Sequence, residues 1–455
     1  MKSFRRDTLL TRLLSDYGML LVLVLLCVLF SLLTITEQTS TGSPGARLLF
    51  DRLSKQPSSG GRILIVAGLS EPEKEFASSL HRMLEAAGYR FGEVSGDPMQ
   101  LRARIAEEAG RPPTAFVATT DVTRPVVESF RDIPTIGGAK ILTPPRRSWP
   151  TFLLADNLRN VANQITVIAI IAIGMTMVII TAGIDLSVGS LVALSAVVIA
   201  WVAGALGGAD VSTLGILFAA LAALVVCGLT GAFSGLMITA FKIPPFIATL
   251  AMMQVAAGVA YIISKGKPIY QLPDRFVWLG RGTEPLLNMP IAVIVMLLFY
   301  LIAWVLMERS VLGRYIYAVG GNAEAARLAG IRIRRVLLFV YTASGLLAGL
   351  GGIVMASQLK SGAPTYGLSY ELYVIAAVVV GGTSLSGGEG KIIGTLIGAF
   401  VIGVIQNGMN LTNIETYTQK VVLGLVILAA VLFDRLKQKG LTRRLRSSGP
   451  DSDSR

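Results

Sequence analysis

Long apolar stretches constrain this chain more than any other feature. A bilayer core takes about 20 consecutive apolar residues in a helix, and such stretches recur along the sequence. The first runs from about Tyr17 to Ile35, behind Arg5, Arg6 and Arg12. Nine more follow Asn163, near 165–183, 187–206, 212–240, 246–263, 290–307, 336–357, 371–381, 392–411 and 420–433. The stretch at 371–381 is short and ends in glycines, so it reads as a broken or re-entrant span. No A-x-A cleavage pattern follows the first stretch, which therefore reads as a retained anchor and not a signal peptide. Composition agrees. Of 455 residues, 53% are hydrophobic and 15% charged, where soluble domains carry about 25% charged residues. Cys27 and Cys227 both lie in apolar runs, which indicates neither a disulfide scaffold nor a zinc cluster. The fold class expected is an all-α polytopic membrane protein of about ten spans.

The positions of the charges orient the spans. The formal net charge is +13. In a soluble protein such an excess points towards nucleic acid; in a membrane protein it marks cytoplasmic loops. With the N-terminus inside, 19 Lys and Arg fall on inner segments and six on short outer loops. Both termini are therefore expected in the cytoplasm, with membrane lipid as surroundings and no nucleic acid as partner.

Residues 37–150 differ from the rest. The opening at 40–45 (STGSPG) is linker-like. RILIVA at 62–67 reads as a buried strand and 71–87 as an amphipathic helix stopped by Gly88. A weaker strand at 89–94, a helix at 98–109, a strand at 115–118 and a short helix near Pro125 follow. Alternation of strand and helix implies a small α/β unit with a parallel sheet, placed outside the membrane. The chain thus divides into 1–36 (cytoplasmic N-terminus and first span), 37–150 (inserted α/β unit), 151–434 (nine further spans) and 435–455 (basic cytoplasmic tail).

Enzymatic chemistry is hard to find. The one histidine, His81, lies on the soluble helix, and no H-E-x-x-H, G-x-S-x-G or Cys/His pair occurs. No catalytic residue, metal site or cofactor is expected. Between Ile165 and Phe241 the only charges are Asp185 and Asp210. Ion-coupled transporters need ionisable groups inside the bundle, so energy is expected to enter from elsewhere. LSGGE at 385–389 looks like an ATPase signature, but no G-x-x-x-x-G-K-[ST] accompanies it, and a glycine-rich turn between two helices accounts for it.

Two motifs stand out. In the long inner loop at 308–335, Asn322 can cap a short helix, with Glu324 in its first turn and Gly330 at its end. Such a helix suits either a lever docked in a partner's groove or an ordinary surface loop. At 182–190, AGIDLSVGS sets Asp185 and Ser187 among glycines between two apolar runs. Asp185 reads first as a helix cap, with direct contact to a transported solute as the alternative. Gly231/Gly235 and Gly394/Gly398 have the spacing of close helix packing. Gln254, Gln406, Asn407 and Asn410 are neutral amides in or near spans; they suit a wet passage for an uncharged, hydroxyl-rich solute, or packing between helices.

AGIDLSVGSLVALS (182–195), FKIPPFIATLAMM (241–253), LGRYIYAVGGNAEAARLAGI (312–331) and GGTSLSGGEGKIIGTLIGAFVIGVIQNGMNL (381–411) together resemble the ribose-type permeases of bacterial ATP-binding cassette (ABC) importers, a group allied to the branched-chain amino-acid permeases. The resemblance runs from about Pro150 to the C-terminus. It implies a type II ABC importer permease fold in the bacterial inner membrane, and a translocation pathway for a monosaccharide such as ribose. It also implies cytoplasmic ABC ATPase subunits, an extracytoplasmic substrate-binding protein, and a second permease as homodimer or related subunit. Asn322, Glu324, Ala325, Ala326 and Gly330 fall in the stretch similar to the family's ATPase-coupling loop. Asp185, Ser187, Gln254 and Asn407 are the candidates for the pathway. The insertion at 37–150 departs from the family, whose members pass from first to second span by a short link; its opening faintly resembles a sugar-binding-protein lobe. A transporter acting alone, and a sensor built on a permease, are the competing classes. Branched-chain amino acids, furanosyl compounds and nucleosides are competing solutes.

Overall fold

The computed structural model describes residues 9–56, 61–108, 112–270, 272–286 and 288–447. The chain separates into two compact units, one holding Thr34–Thr151 and one holding the residues before and after it.

Helix α1 (Leu9–Leu33) leads to the smaller unit. Its elements run β1 (Ile35–Thr39), α2 (Gly42–Ser54), β2 (Arg62–Ala67), α3 (Glu71–Ala86), β3 (Phe91–Ser95), α4 (Pro98–Glu107), β4 (Thr114–Thr119), α5 (Arg124–Glu128), α6 (Pro134–Gly137), β5 (Lys140–Leu142) and β6 (Arg146–Pro150). Four strands make a parallel sheet in the order β3-β2-β4-β5. Every residue of β2 is buried, as its unbroken apolar run requires of a central parallel strand. Alternate residues feed opposite faces: Ile63 and Ile65 pack with Leu49, Phe76 and Leu80, while Leu64 and Val66 pack with Leu101, Ile105 and Ile136. His81 is half-buried on α3, its Nδ1 2.7 Å from Glu93 and its ring edge-on to Phe91.

Two features of this unit depart from the sequence reading. STGSPG is not a linker, because Gly42 begins α2. Ala46, Leu49 and Leu53 recur at helical spacing and bury themselves, and Ser43 donates to Glu75 at 2.7 Å. The antiparallel ribbon of β1 and β6, with Ile35 opposite Pro150, was also illegible. Both strands are short, polar and largely exposed, and each is ordered only by a partner more than a hundred residues away.

In a parallel sheet the ligand crevice lies beyond the carboxyl ends of the strands where the order reverses, here between β2 and β4. Glu73 fills this place. Its carboxylate accepts hydrogen bonds from Thr120 Oγ1 at 2.7 Å, Ser70 Oγ at 3.2 Å and Thr123 Oγ1. Burial pushes the carboxyl upward, but the hydrogen bonds from Thr123, Thr120, the Gly68 backbone and Ser70 outweigh it, and the group rests below its ordinary value.

The larger unit continues with α7 (Ala155–Ile180), α8 (Val188–Ala205), α9 (Thr213–Ala240), α10 (Pro245–Ser264), α11 (Asp274–Arg281), α12 (Ile291–Arg309), α13 (Val311–Gly321), α14 (Ala323–Leu328), α15 (Ile333–Leu359), α16 (Tyr370–Val380), α17 (Ile392–Leu411) and α18 (Thr416–Ser447). Among the described residues, seven helices are long and apolar enough to cross a membrane: α7, α8, α9, α10, α12, α15 and α17. Three shorter apolar segments, Gly18–Leu33, Tyr370–Val380 and Thr416–Ala429, fall on the remaining three sequence spans. The protein is a polytopic helical membrane protein carrying a small α/β unit. With 11 residues, α16 reaches only about half the depth of a bilayer core, as expected of a broken span. Helix α7 begins ten residues before the apolar run at 165, through a polar start containing Asp156, Asn157 and Arg159.

Packing sorts these helices. In α7, 89% of the apolar window is buried, against 22% in α10. Helix α15 packs on α7, α8 and α9. Its approach to α9 is a backbone contact: a Cβ on Gly231 would lie 2.3 Å from the Tyr341 carbonyl oxygen. Helices α16 and α17 meet in the same way, with Gly398 against the Ala377 carbonyl. Both glycine pairs singled out in the sequence thus have a member at a close helix crossing.

Candidate functional site

Helix α14 stands in the loop between α13 and α15, and its local sequence dictates its form. Asn322 has extended backbone and its Oδ1 accepts the Ala325 N–H at 3.0 Å. Glu324 lies in the first turn, where the helix dipole favours an anion, and pairs with Arg327 at 2.5 Å. Gly330, at φ +82°, ends the segment. Of Asn322, Glu324, Ala325, Ala326 and Gly330, only Ala326 is buried; it fastens the helix to the core while the others are exposed. Leu328 is 81% exposed. The segment therefore presents an ion pair and a bare leucine outward.

Asp185 and Ser187 lie together in the 181–187 junction between α7 and α8, and both are 1% exposed. Asp185 Oδ1 accepts the Ser187 N–H at 3.0 Å and the Ser187 hydroxyl at 2.6 Å; Oδ2 accepts the Ser344 hydroxyl at 2.8 Å. The carboxylate thus takes a backbone N–H at the start of α8 and also ties that junction to α15. From α10, Thr249 Oγ1 lies 3.1 Å from the Ile184 carbonyl and shares its one hydroxyl hydrogen between it and the Pro245 carbonyl at 2.9 Å. The arrangement is that of a structural clamp, with both oxygens engaged inside the protein.

The other two pathway candidates are elsewhere. Asn407 on α17 exchanges amide hydrogen bonds with Asn157 on α7, at 3.0 and 2.9 Å, and Asn157 also reaches the Phe152 carbonyl at 2.8 Å. Its amide serves helix packing. Asn410 accepts from Gln419 at 2.8 Å. Gln254 lies on the exposed surface of α10. The four candidates do not converge. Ser344, Asn157 and Thr249 complete these clusters, and no local pattern marked them, because their partners lie 65 to 250 residues away in sequence.

At the opposite end of α15, helix α11 is fastened by polar contacts. The Gly280 N–H donates to Ser357 Oγ at 2.8 Å, Gln358 donates to the Asn163 carbonyl at 3.0 Å, and Asn163 donates to the Gly280 carbonyl at 3.2 Å. Lys360 bonds Asp274 and holds that carboxyl below its ordinary value. Beside α11 opens a cavity of about 410 Å³ lined by Asp156, Arg159, Asn160, Asn163, Arg281 and Asn288 among others. Among the described residues no cluster of three or more His, Cys, Asp or Glu side chains could hold a metal ion.

The larger unit is thus a bundle of membrane helices with a short capped helix exposed between two of its spans. The family model for the permease component of branched-chain amino acid transport systems matches residues 157–431, and the chain belongs to this family. The smaller α/β unit lies outside that match. The chain is 45% identical over 293 residues to the ribose import permease protein of Escherichia coli (strain K12), covering 64% of this chain and 88% of that protein. It is 44% identical over 288 residues to the ribose import permease protein of Bacillus subtilis (strain 168), covering 63% and 87%. It is 38% identical over 288 residues to the D-allose transport system permease protein of Escherichia coli (strain K12), covering 63% and 86%. No solved structure matches the chain.

Proposed function

We propose that this chain is the membrane permease subunit of an ATP-driven importer for a monosaccharide of the ribose and allose class. Relatives named for those sugars, similar along nearly the whole permease unit, support the solute class. The observation that carries the coupling is α14: a capped helix held by one buried alanine, with Glu324, Arg327 and Leu328 free to meet another protein. Its partner is an ABC ATPase at the cytoplasmic face, and the positive-inside bias supports a cytoplasmic 308–335 and cytoplasmic termini. A binding protein delivers solute at the opposite face, where α11 and the polar cavity lie. A second permease, identical or related, completes the pathway. Gln254 favours this: an exposed amide on a spanning helix is costly against lipid and is satisfied at a subunit seam or in a wet passage. Asp185, Ser187 and Asn407 hold the helices that border the pathway, and no cofactor is bound by the permease itself.

The test is uptake of labelled D-ribose and D-allose by proteoliposomes holding the permease with its ATPase and binding protein. ATP-dependent uptake of either sugar, abolished in Glu324→Lys while the permease still folds, is the expected result. Normal uptake and stimulated ATP hydrolysis in Glu324→Lys would remove α14 from the coupling.

A further inference from the structure

We infer that Gly320, Tyr317 and the 384–390 turn form the relay that carries movement of α14 into the membrane helices. The inference rests on α14 being the ATPase-facing element. Asn322, the cap of α14, directly follows α13, whose last two residues are Gly320 and Gly321. At Gly320 the backbone of α13 meets two others. A Cβ there would lie 1.7 Å from the Ile180 carbonyl oxygen, at the end of α7, and 2.8 Å from the Gly388 nitrogen, in the turn between α16 and α17. The Gly388 N–H donates to that same Ile180 carbonyl at 2.8 Å. A Cβ on Gly387 would lie 2.9 Å from the Gly320 carbonyl oxygen, and one on Gly388 would lie 2.8 Å from Gly321 Cα. Gly387 and Gly388 hold φ of +84° and +76°, a conformation glycine adopts freely. Tyr317, one turn back on α13, donates its hydroxyl to the Gly390 carbonyl at 2.7 Å.

Three backbones therefore meet, with only the Ala182 methyl beside them at Gly387. A side chain at such a meeting could swing to a new rotamer and absorb a displacement; touching backbones pass it on, because packed interiors are hardly compressible. The seam reaches far. Ile180 leads into the junction that Asp185 ties to Ser344 of α15 and Thr249 ties to α10. The turn is the link between α16 and α17. A push on α14 thus arrives at five helices, α7, α10, α15, α16 and α17, through one cluster of contacts. This gives the LSGGEG stretch a role of its own: it is the receiving half of the seam.

Gly321 supplies the control, since a Cβ there meets nothing within 4 Å among the described residues. The experiment uses the complete transporter in proteoliposomes, with permease, ATPase and binding protein, and reads D-ribose imported per ATP hydrolysed. Gly320→Ala forces the Ile180 backbone aside; where the complex assembles and hydrolyses ATP, the ratio is expected to fall about tenfold, within the ordinary range of coupling between sites. Tyr317→Phe keeps the ring and loses one hydrogen bond, and is expected to lower the ratio about fivefold. Gly321→Ala is expected to leave it unchanged. Wild-type ratios in both Gly320→Ala and Tyr317→Phe would overturn the relay; if Gly320→Ala fails to assemble, a wild-type ratio in Tyr317→Phe overturns it alone. Uncoupling by Glu324→Lys with intact coupling in the relay variants would refute only the relay. Intact coupling in Glu324→Lys itself would refute the reading of α14 beneath it.

Discussion

Asp185 shows how much a single side chain can mean at two ranges. Locally it accepts the N–H of Ser187, two residues on, in an Asx turn just ahead of α8; Ser187 itself is the N-cap of that helix, so Asp185 does not make the capping bond its sequence setting suggested. Its other oxygen accepts from Ser344, 159 residues away, and that bond had no local signature. Asp185→Ala would strand two hydroxyls and an N–H in a dry interior. We expect it to cost about 3 kcal/mol, read as a lower unfolding temperature in detergent, with Ser344→Ala costing about 1 kcal/mol. Tyr341 makes the opposite case. Its hydroxyl is buried with no hydrogen-bond partner among the described residues. Removing a polar group that has no partner relieves a desolvation penalty, so Tyr341→Phe should unfold at the wild-type temperature or above it. A clear loss of stability in Tyr341→Phe would mean that the hydroxyl is satisfied in the membrane.

At the scale of elements, local patterns were good guides wherever a helix or strand is stabilised by its own spacing. The strand RILIVA, the amphipathic α3 and the cap-to-glycine frame of α14 are of this kind. They failed for the β1–β6 ribbon, whose order comes from partners remote in sequence, and at the start of α2, where the STGSPG opening masked the helical spacing of Ala46, Leu49 and Leu53. Helix α3 also carries a pH dependence. Glu73 is held below its ordinary value of 4.5 in the folded unit. Its hydrogen bonds therefore stabilise the fold fully above that value, and the contribution is lost as pH falls through the lower folded value. Hydrogen exchange of α3 in the whole protein, corrected for intrinsic rate, should show protection fading on acidification. In Glu73→Gln this acid-dependent loss should vanish, with weaker protection already at neutral pH. An identical acid profile in the two proteins would exclude Glu73 as its source.

For the whole molecule, the count of basic residues predicts sidedness. Cysteines placed at Gly96 and Asn322 should label from opposite faces of the membrane with an impermeant reagent; labelling from one face would refute the span count. The insertion makes a second prediction. Because β1 and β6 bring its two ends side by side, residues 40–145 can be replaced by a short linker that keeps this ribbon. We expect the permease to reach the membrane at its normal level. If the insertion helps the binding protein to dock, half-maximal uptake will need more binding protein while saturated uptake changes less. Unchanged dependence on binding protein would leave the insertion no part in delivery.

Composition and periodicity determined that this chain lives in a bilayer, roughly where it crosses, and that a small parallel α/β unit interrupts it. Each of these follows from burial of local apolar patterns, which sequence displays directly. The resemblance of four long motifs added the permease family. Which polar residues hold the bundle and which remain free was decided only by tertiary structure. Asn407 and Gln254 are similar amides in similar surroundings along the chain, yet one is paired with Asn157 and the other lies exposed on α10. The seam at Gly320 was equally hidden. A glycine in sequence announces that a backbone can come close, but only the folded chain determines which backbone does, because that partner is brought there by helices packed from distant parts of the sequence.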